Sequence, residues 1–204
     1  MPLYMFPKNT PLTGEIEQET GLGKMEFPTL VKFGPAARCY WNADEYAEKN
    51  RGAVVHGWQV HIFPRVYFAL FHHAIVRASD GLFVDPTASP VLHEGYSAFF
   101  VDESIIPPRD YPEFVPNRYY PLGMQADVIA ATAAVKNAHD AQMAINRRVM
   151  ELLRDHSVPI GTTDPQILGK IPGLMALGAQ HMKSRDAVQA STDLSEQIAK
   201  KYFR

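Results

Sequence analysis

The chain has one cysteine in 204 residues, Cys39. A single thiol cannot close an intramolecular disulfide and cannot supply the paired thiolates of a structural zinc site. An excess of one charge is missing too: 20 Lys and Arg stand against 22 Asp and Glu, a formal net charge of −2. No basic block is present, so the electrostatic footprint of a nucleic-acid binder is lacking and no nucleic-acid partner is expected. No apolar run has the length of a membrane span, so no membrane partner is expected either. Met1 to Lys8 has no basic region followed by an apolar stretch. The expected compartment is therefore the cytoplasm, with signal-less secretion left open. No internal repeat is visible. A chain that is 46% hydrophobic and 21% charged reads as globular, with enough length for one domain with a core plus an appendage.

Turn formers punctuate residues 1–35 (Pro7, Pro11, Gly14, Gly21, Gly23, Pro28, Gly34, Pro35), which reads as a loose lead-in wrapped on the core. Tyr40, Ala43, Tyr46 and Ala47 then recur at helical spacing, predicting a helix from Cys39 to about Asn50 with the cysteine in its first turn. The stretches 53–63 and 66–78 are rich in Val, Ile, Phe and Tyr and predict strands separated by a turn at Pro64. Asp80-Gly81 is a hairpin signal before a short strand at 82–85, and Tyr96 to Val101 reads as another strand. The expected fold class is α+β, with the cysteine helix packed on an antiparallel sheet.

Five prolines (Pro107, Pro108, Pro112, Pro116, Pro121) argue against regular structure over 102–121. With Tyr111, Phe114, Tyr119 and Tyr120 this segment is read either as a loop covering a site or as a strap behind the sheet. From Gln125 to His156, Val128, Ala131, Val135, Ala138, Gln142, Ile145, Val149 and Leu152 form an apolar stripe at alternating spacings of four and three. Such a stripe packs on the core, on a second copy or on a partner protein. A helical tail follows, with Ala187, Val188, Leu194, Ile198 and Tyr202 as expected core contacts. The domain reading is a core at 1–121 and a helical extension at 122–204.

Cys39 opens an ordered thiol–imidazole–carboxylate series. A cysteine attacks as the thiolate, and a helix N-terminus and a neighbouring imidazolium both favour that anion. Backbone N–H groups at the same helix start can hold a developing oxyanion. His72 and His73 face opposite sides of a strand, so only one can serve Cys39. The turn at Asp80-Gly81 brings Asp85 onto the neighbouring strand, where it can fix a histidine tautomer. His73 is the chosen base and His72 the alternative. Trp41, Asn42 and Trp58 are candidate substrate contacts; the competing roles are capping or solvation for Asn42 and core filling for the tryptophans.

These segments resemble the transglutaminase-like and papain-like cysteine enzymes. The matching parts are Cys39 at a helix start, Val55-His56-Gly57-Trp58, His73-Ala74-Ile75-Val76, and Gly81 through Asp85-Pro86-Thr87. The resemblance covers roughly residues 38–87, and its last block is the most specific. It implies a Cys-His-Asp triad of Cys39 as nucleophile, His73 as general base and Asp85 as orienting acid, on a papain-like core, without a cofactor. The implied activity is acyl transfer on amide bonds: a thiol protease or protein glutamine deamidase if water resolves the thioester, a transglutaminase-like transferase if an amine does. A protein or peptide is the expected substrate. Ile75 departs from the pattern, standing where an aromatic is usual. No Gln closely precedes Cys39, so the second oxyanion donor is unassigned.

Two other readings compete. His56, His61, His72, His73, Cys39 and Asp85 could form a metal site, but His-Glu-x-x-His is absent and no metal is expected. A non-catalytic interaction protein, binding through its helical tail, is the third reading.

Overall fold

A computed structural model describes residues 3–89, 91, 93–108, 115–159 and 162–202. The chain divides into two compact units, Met1–Ile106 and Pro107–Arg204. The division falls earlier than the 121/122 boundary read from the sequence.

The first unit is mixed α and β. Its strands are β1 (Tyr4–Met5), β2 (Thr29–Gly34), β3 (Ala53–Phe63), β4 (Tyr67–Arg77), β5 (Phe83–Thr87) and β6 (Phe99–Val101), and its helices are α1 (Leu12–Thr20) and α2 (Cys39–Asn50). The order β1-β3-β4-β5-β2 runs across the sheet, with β6 beside β3. β3 and β4 form a long antiparallel hairpin, from Phe63↔Tyr67 at the turn to Ala53↔Arg77. Arg65 supplies the left-handed residue of that turn, at φ 65°.

The sheet is mixed, not antiparallel throughout, because β2 lies parallel to β5. The turn residues around Thr-Leu-Val-Lys-Phe-Gly mask a short β-branched and aromatic run, so the lead-in hides a strand. The lead-in also holds α1, which buries Ile16 and ends on Gly21 at φ 64°. The sheet curls until its ends meet. Glu26 and Phe99 exchange both backbone hydrogen bonds (2.8 and 2.9 Å), Thr29 is bridged to Tyr96, and Val60 N–H donates to the Ala98 carbonyl (2.8 Å).

Alternation along β4 then separates two environments. Ala74 and Val76 pack with Ala43 and Ala47 of α2, with Tyr40, Tyr46 and Val54 packed around them. Ile75 points the other way, into a cluster with Val55 and Phe99. Gly57 is required by this curl. A Cβ there would run into the Phe100 carbonyl oxygen, and would lie 2.7 Å from the Phe99 ring and 2.9 Å from the Asp102 nitrogen.

In the second unit, β7 (Arg118–Pro121) packs on α3 (Ala126–Asp155), and α3 packs on α5 (Leu174–Lys201) after the short α4 (Pro165–Leu168). The strand places Tyr119 and Tyr120 in regular structure where none was expected; Tyr111, Pro112 and Phe114 lie outside the described residues. The apolar stripe of α3 is buried at Val128, Ala131 and Val135 and only half-buried at Ala138, Gln142, Ile145 and Val149; Leu153 is buried rather than Leu152. The seam of α5 is not the expected one. Ser184, Ser191, Ser195 and Ala199 are buried, while Ala187 is exposed and Leu194 is 38% exposed. Each serine hydroxyl donates to a carbonyl of its own helix, on His181, Val188 and Ser191 respectively (2.8, 2.8 and 3.0 Å). That satisfies the polar group and leaves a small side chain for close helix approach. Among the described residues, no helix is long and apolar enough to cross a membrane.

Candidate active site

Cys39 is the first residue of α2 and is partly exposed. The preceding turn, Gly34 to Arg38, carries Ala37 in the left-handed region at φ 61°, a conformation that costs a β-carbon residue about 1–2 kcal/mol. Arg38 occupies the N-cap position and gives no side-chain cap. The first-turn amides of α2 therefore receive no acceptor from the capping residue. Asn42 holds the turn in place: its Nδ2 donates to the Pro35 carbonyl (2.8 Å) and to Thr87 Oγ1 (3.1 Å).

His73 stands opposite Gly57 in the β3–β4 register. Arg77 pairs with Phe83 on β5. Stepping by twos from that pair puts His73 and Asp85 on one face of the sheet. His73 Nε2 lies 2.9 Å from Asp85 Oδ2, with Asp85 0% exposed. The carboxylate is held from other sides as well. Thr87 N–H donates to Oδ1 (3.0 Å) and Gln59 Nε2 donates to Oδ2 (3.1 Å). The Ser97 hydroxyl is buried nearby and favours the carboxylate, though it falls short of a well-formed hydrogen bond.

Cys39 stands close enough to the His73 side chain to favour its protonated ring. Asp85 occupies Nε2, so Nδ1 is the ring nitrogen left for sulfur. Burial opposes a charge on His73, but Asp85 and Cys39 together outweigh it and push its pKa up to about 10. Burial likewise works against charge on Asp85, and His73 with the Thr87 N–H overcomes it, holding the carboxyl below its ordinary value. The pair is an ion pair at neutral pH.

His72 faces the other side and does not join this chain. Tyr40 Oη lies 2.8 Å from its Nδ1. Burial, with a smaller effect of Cys39, raises the Tyr40 pKa, so the hydroxyl keeps its proton and donates. Nε2 of His72 is buried near the Ile105 backbone, short of hydrogen-bond geometry. The His56 ring stacks at 6.1 Å and the Trp58 ring meets His72 edge-on at 5.2 Å. Burial first, then the neighbouring His56, lowers the His72 pKa to about 4. His56 is lowered by burial as well. Both are neutral near pH 7.

The sequence candidates thus separate. Cys39, His73 and Asp85 come together. Trp41 lies two residues after the nucleophile, half-buried, with the Arg38 guanidinium 5.4 Å from its ring centroid. Asn42 is buried and spends its amide hydrogens on Pro35 and Thr87, so it clips the turn to β5 and has no donor left for substrate. Trp58 is 1% exposed and donates to Asp102 Oδ2 (2.8 Å), which places it in the core. Gln59 was missed by sequence reasoning. It falls two residues after Gly57 on the face of β3 that meets His73, a placement that only the strand register reveals. Among the described residues, no group of three or more His, Cys, Asp or Glu is placed to hold a metal ion. Compared with protein-family models, curated proteins and solved structures, the chain gives no match.

Proposed function

We propose that the chain is a cysteine-dependent enzyme that transfers the acyl group of an amide, on a core of the papain and transglutaminase kind. One observation carries this reading: a thiol at a helix start stands beside an imidazole that is hydrogen-bonded to a buried carboxylate. An imidazolium stands against the sulfur, and the thiolate is the nucleophilic form. The uncapped first turn of α2 offers backbone N–H groups, that of Cys39 among them, to a developing oxyanion. The Ile75 departure is compensated in space. Ile75 packs on Phe99, and the Phe99 ring lies 6.4 Å from the His73 ring, so a neighbouring strand supplies the aromatic neighbour.

In the proposed cycle the Cys39 thiolate attacks the carbonyl carbon. The C–N bond breaks, and the proton from His73 Nδ1 leaves with the amine. A water then gives that nitrogen a proton and attacks the thioester, which releases the acid and restores the thiolate–imidazolium pair. Water is the favoured acceptor because it needs no second binding site, which makes the enzyme a peptidase or protein glutamine deamidase. An amine at the same step gives transfer instead. The substrate class is a protein or peptide amide, the proposed compartment is the cytoplasm, and the helical unit is the proposed surface for a partner or second copy.

The test is alkylation by iodoacetamide followed by intact mass, where every stoichiometric adduct on a lone cysteine reports Cys39. Labelling at pH 6.5 is expected to outpace a free thiol by at least tenfold and to fall to the free-thiol rate in His73→Ala. Glutamine and peptide amides are then screened for release of ammonia or amine, with Cys39→Ala as the inactive control. Labelling no faster than a free thiol, in a folded protein, sinks the proposal and favours an interaction protein.

A further inference from the structure

We infer that Gln59 and His61 are positioning residues for the Cys39–His73 pair, forming a buried relay that holds Asp85 in place as an acceptor. This rests on the reading of Cys39 as nucleophile. Along β3, Gly57, Gln59 and His61 share the face that meets His73. Gln59 is 8% and His61 6% exposed, two polar side chains set in an apolar interior. Such groups persist when each hydrogen bond is matched in direction.

Here every direction follows from one anion. Asp85 is ionised and can only accept. Gln59 must therefore turn its NH₂ to Asp85 Oδ2, at 3.1 Å. Its Oε1 is then left facing His61 Nε2 at 2.9 Å. An amide oxygen only accepts, so His61 carries its proton on Nε2. The other nitrogen of His61, Nδ1, is buried with no hydrogen-bond partner. A side chain that only filled space would avoid that unmatched nitrogen. What His61 adds over a phenylalanine is the Nε2–H. Burial foremost, with His73 adding to it, lowers the His61 pKa to about 3, so this donor pattern does not change across the neutral range.

The mechanical consequence is specific. Thr87 N–H pins Asp85 Oδ1, while Oδ2 is shared by His73 and Gln59. Without Gln59 the carboxylate can rotate about its own Cβ–Cγ bond, and His73 loses its aligned partner. Gln59 has three rotatable bonds. His61 stops its amide from flipping end for end, which would set an oxygen against an oxygen.

Two measurements on the full chain test this. The first is the ¹⁵N–¹H correlation spectrum of the His61 ring in the wild type. An Nε2–H tautomer is expected, and an Nδ1–H tautomer overturns the relay. The second is the pH profile of Cys39 alkylation. Gln59→Leu is expected to slow labelling at pH 6.5 by roughly tenfold, the scale of one hydrogen bond to a charged group, and His61→Phe by about threefold, one neutral hydrogen bond removed from the anion. Gln59→Glu donates to Asp85 only while protonated. It is expected to approach the wild type near pH 5.5 and to match Gln59→Leu above pH 8, a profile that a loss of packing does not produce. Wild-type rates and profiles in folded Gln59→Leu and His61→Phe, with His73→Ala still slow, overturn the relay and leave the catalytic reading standing. A slow wild type overturns both.

Discussion

His72 and His73 are neighbours on one strand, and they differ in every property that the backbone does not fix. His73 faces a buried carboxylate and a thiol, and it holds its proton up to about pH 10. His72 faces a phenol, an indole and a second imidazole, and it sheds its proton at about 4. His73 is buried and His72 half-buried, so desolvation pushes both toward neutrality. The difference is chiefly one anion, to which Cys39 adds on the side of His73 and His56 on the side of His72. Asp85 sits in direct contact with the His73 ring, whereas Asp102 is hydrogen-bonded to Trp58 and acts on His72 only at a distance. Burial alone makes a histidine inert; burial with a held carboxylate makes it a base.

The largest expected effect follows directly. His73→Ala should lower amide turnover by about 10³-fold or more, since it removes the proton carrier of a covalent mechanism. His72→Ala should change turnover less than about fivefold, an estimate from the absence of any His72 contact with the thiol. Steady-state rates with circular dichroism to confirm folding decide it. Equal losses in the two variants would break the contrast between the faces.

The carboxylates give the next step down. Asp85→Asn keeps the shape but offers His73 an amide that can present its NH₂, so the tautomer is no longer enforced. A loss of about 10²–10⁴-fold is expected. Asp102→Asn keeps an acceptor for the Trp58 N–H and should leave turnover within about twofold of the wild type. If Asp102→Asn proved the more damaging, the functional face would have been misassigned.

Gly57→Ala separates stability from chemistry on the same inner face. The added methyl meets backbone at Phe100 and Asp102, which cannot swing aside as a side chain would. A loss of about 3 kcal/mol is expected, read as a lower urea midpoint. Thiol labelling below that midpoint should keep its pH profile, because Gly57 touches neither Cys39 nor Asp85 through a side chain.

The sequence carried these residues unevenly, for physical reasons. The Val-, Ile-, Phe- and Tyr-rich stretches read as β3 and β4, the Asp80-Gly81 turn put Asp85 on the strand beside His73, and helical spacing put Cys39 at a helix start. Gln59 was not legible, because a lone glutamine has no pattern of its own; its meaning depends on the Gly57↔His73 register. Asn42 is near the nucleophile in sequence and Trp58 stands opposite His72 in register, yet their hydrogen bonds point them inward. Strand β2 was hidden by its terminal Gly34 and by Pro28 and Pro35 on either side. The α5 seam was hidden because buried serines, bonded to their own helix, look polar in sequence.

The same two faces predict a stability maximum near pH 6.5. His61 and His72 stay neutral in the fold while the unfolded chain takes up protons as pH falls below about 6.5, so stability is lost from there down to about 4 and 3. His73 works in the opposite sense. Its stabilisation is complete below 6.5, and it is lost as pH rises toward 10, where the fold finally gives up its proton. Urea melts from pH 4 to 10 should show both limbs. His73→Phe should flatten the alkaline limb and His72→Gln part of the acid one. The finest test is Tyr40→Phe. It deletes the donor that favours neutral His72 and keeps the ring, so the His72 pKa should rise by at most about one pH unit, one neutral hydrogen bond in size. Cys39 labelling should not change. A parallel change in labelling would mean that Tyr40 couples the two faces through the first turn of α2, and His72 would then have to be counted with the catalytic group.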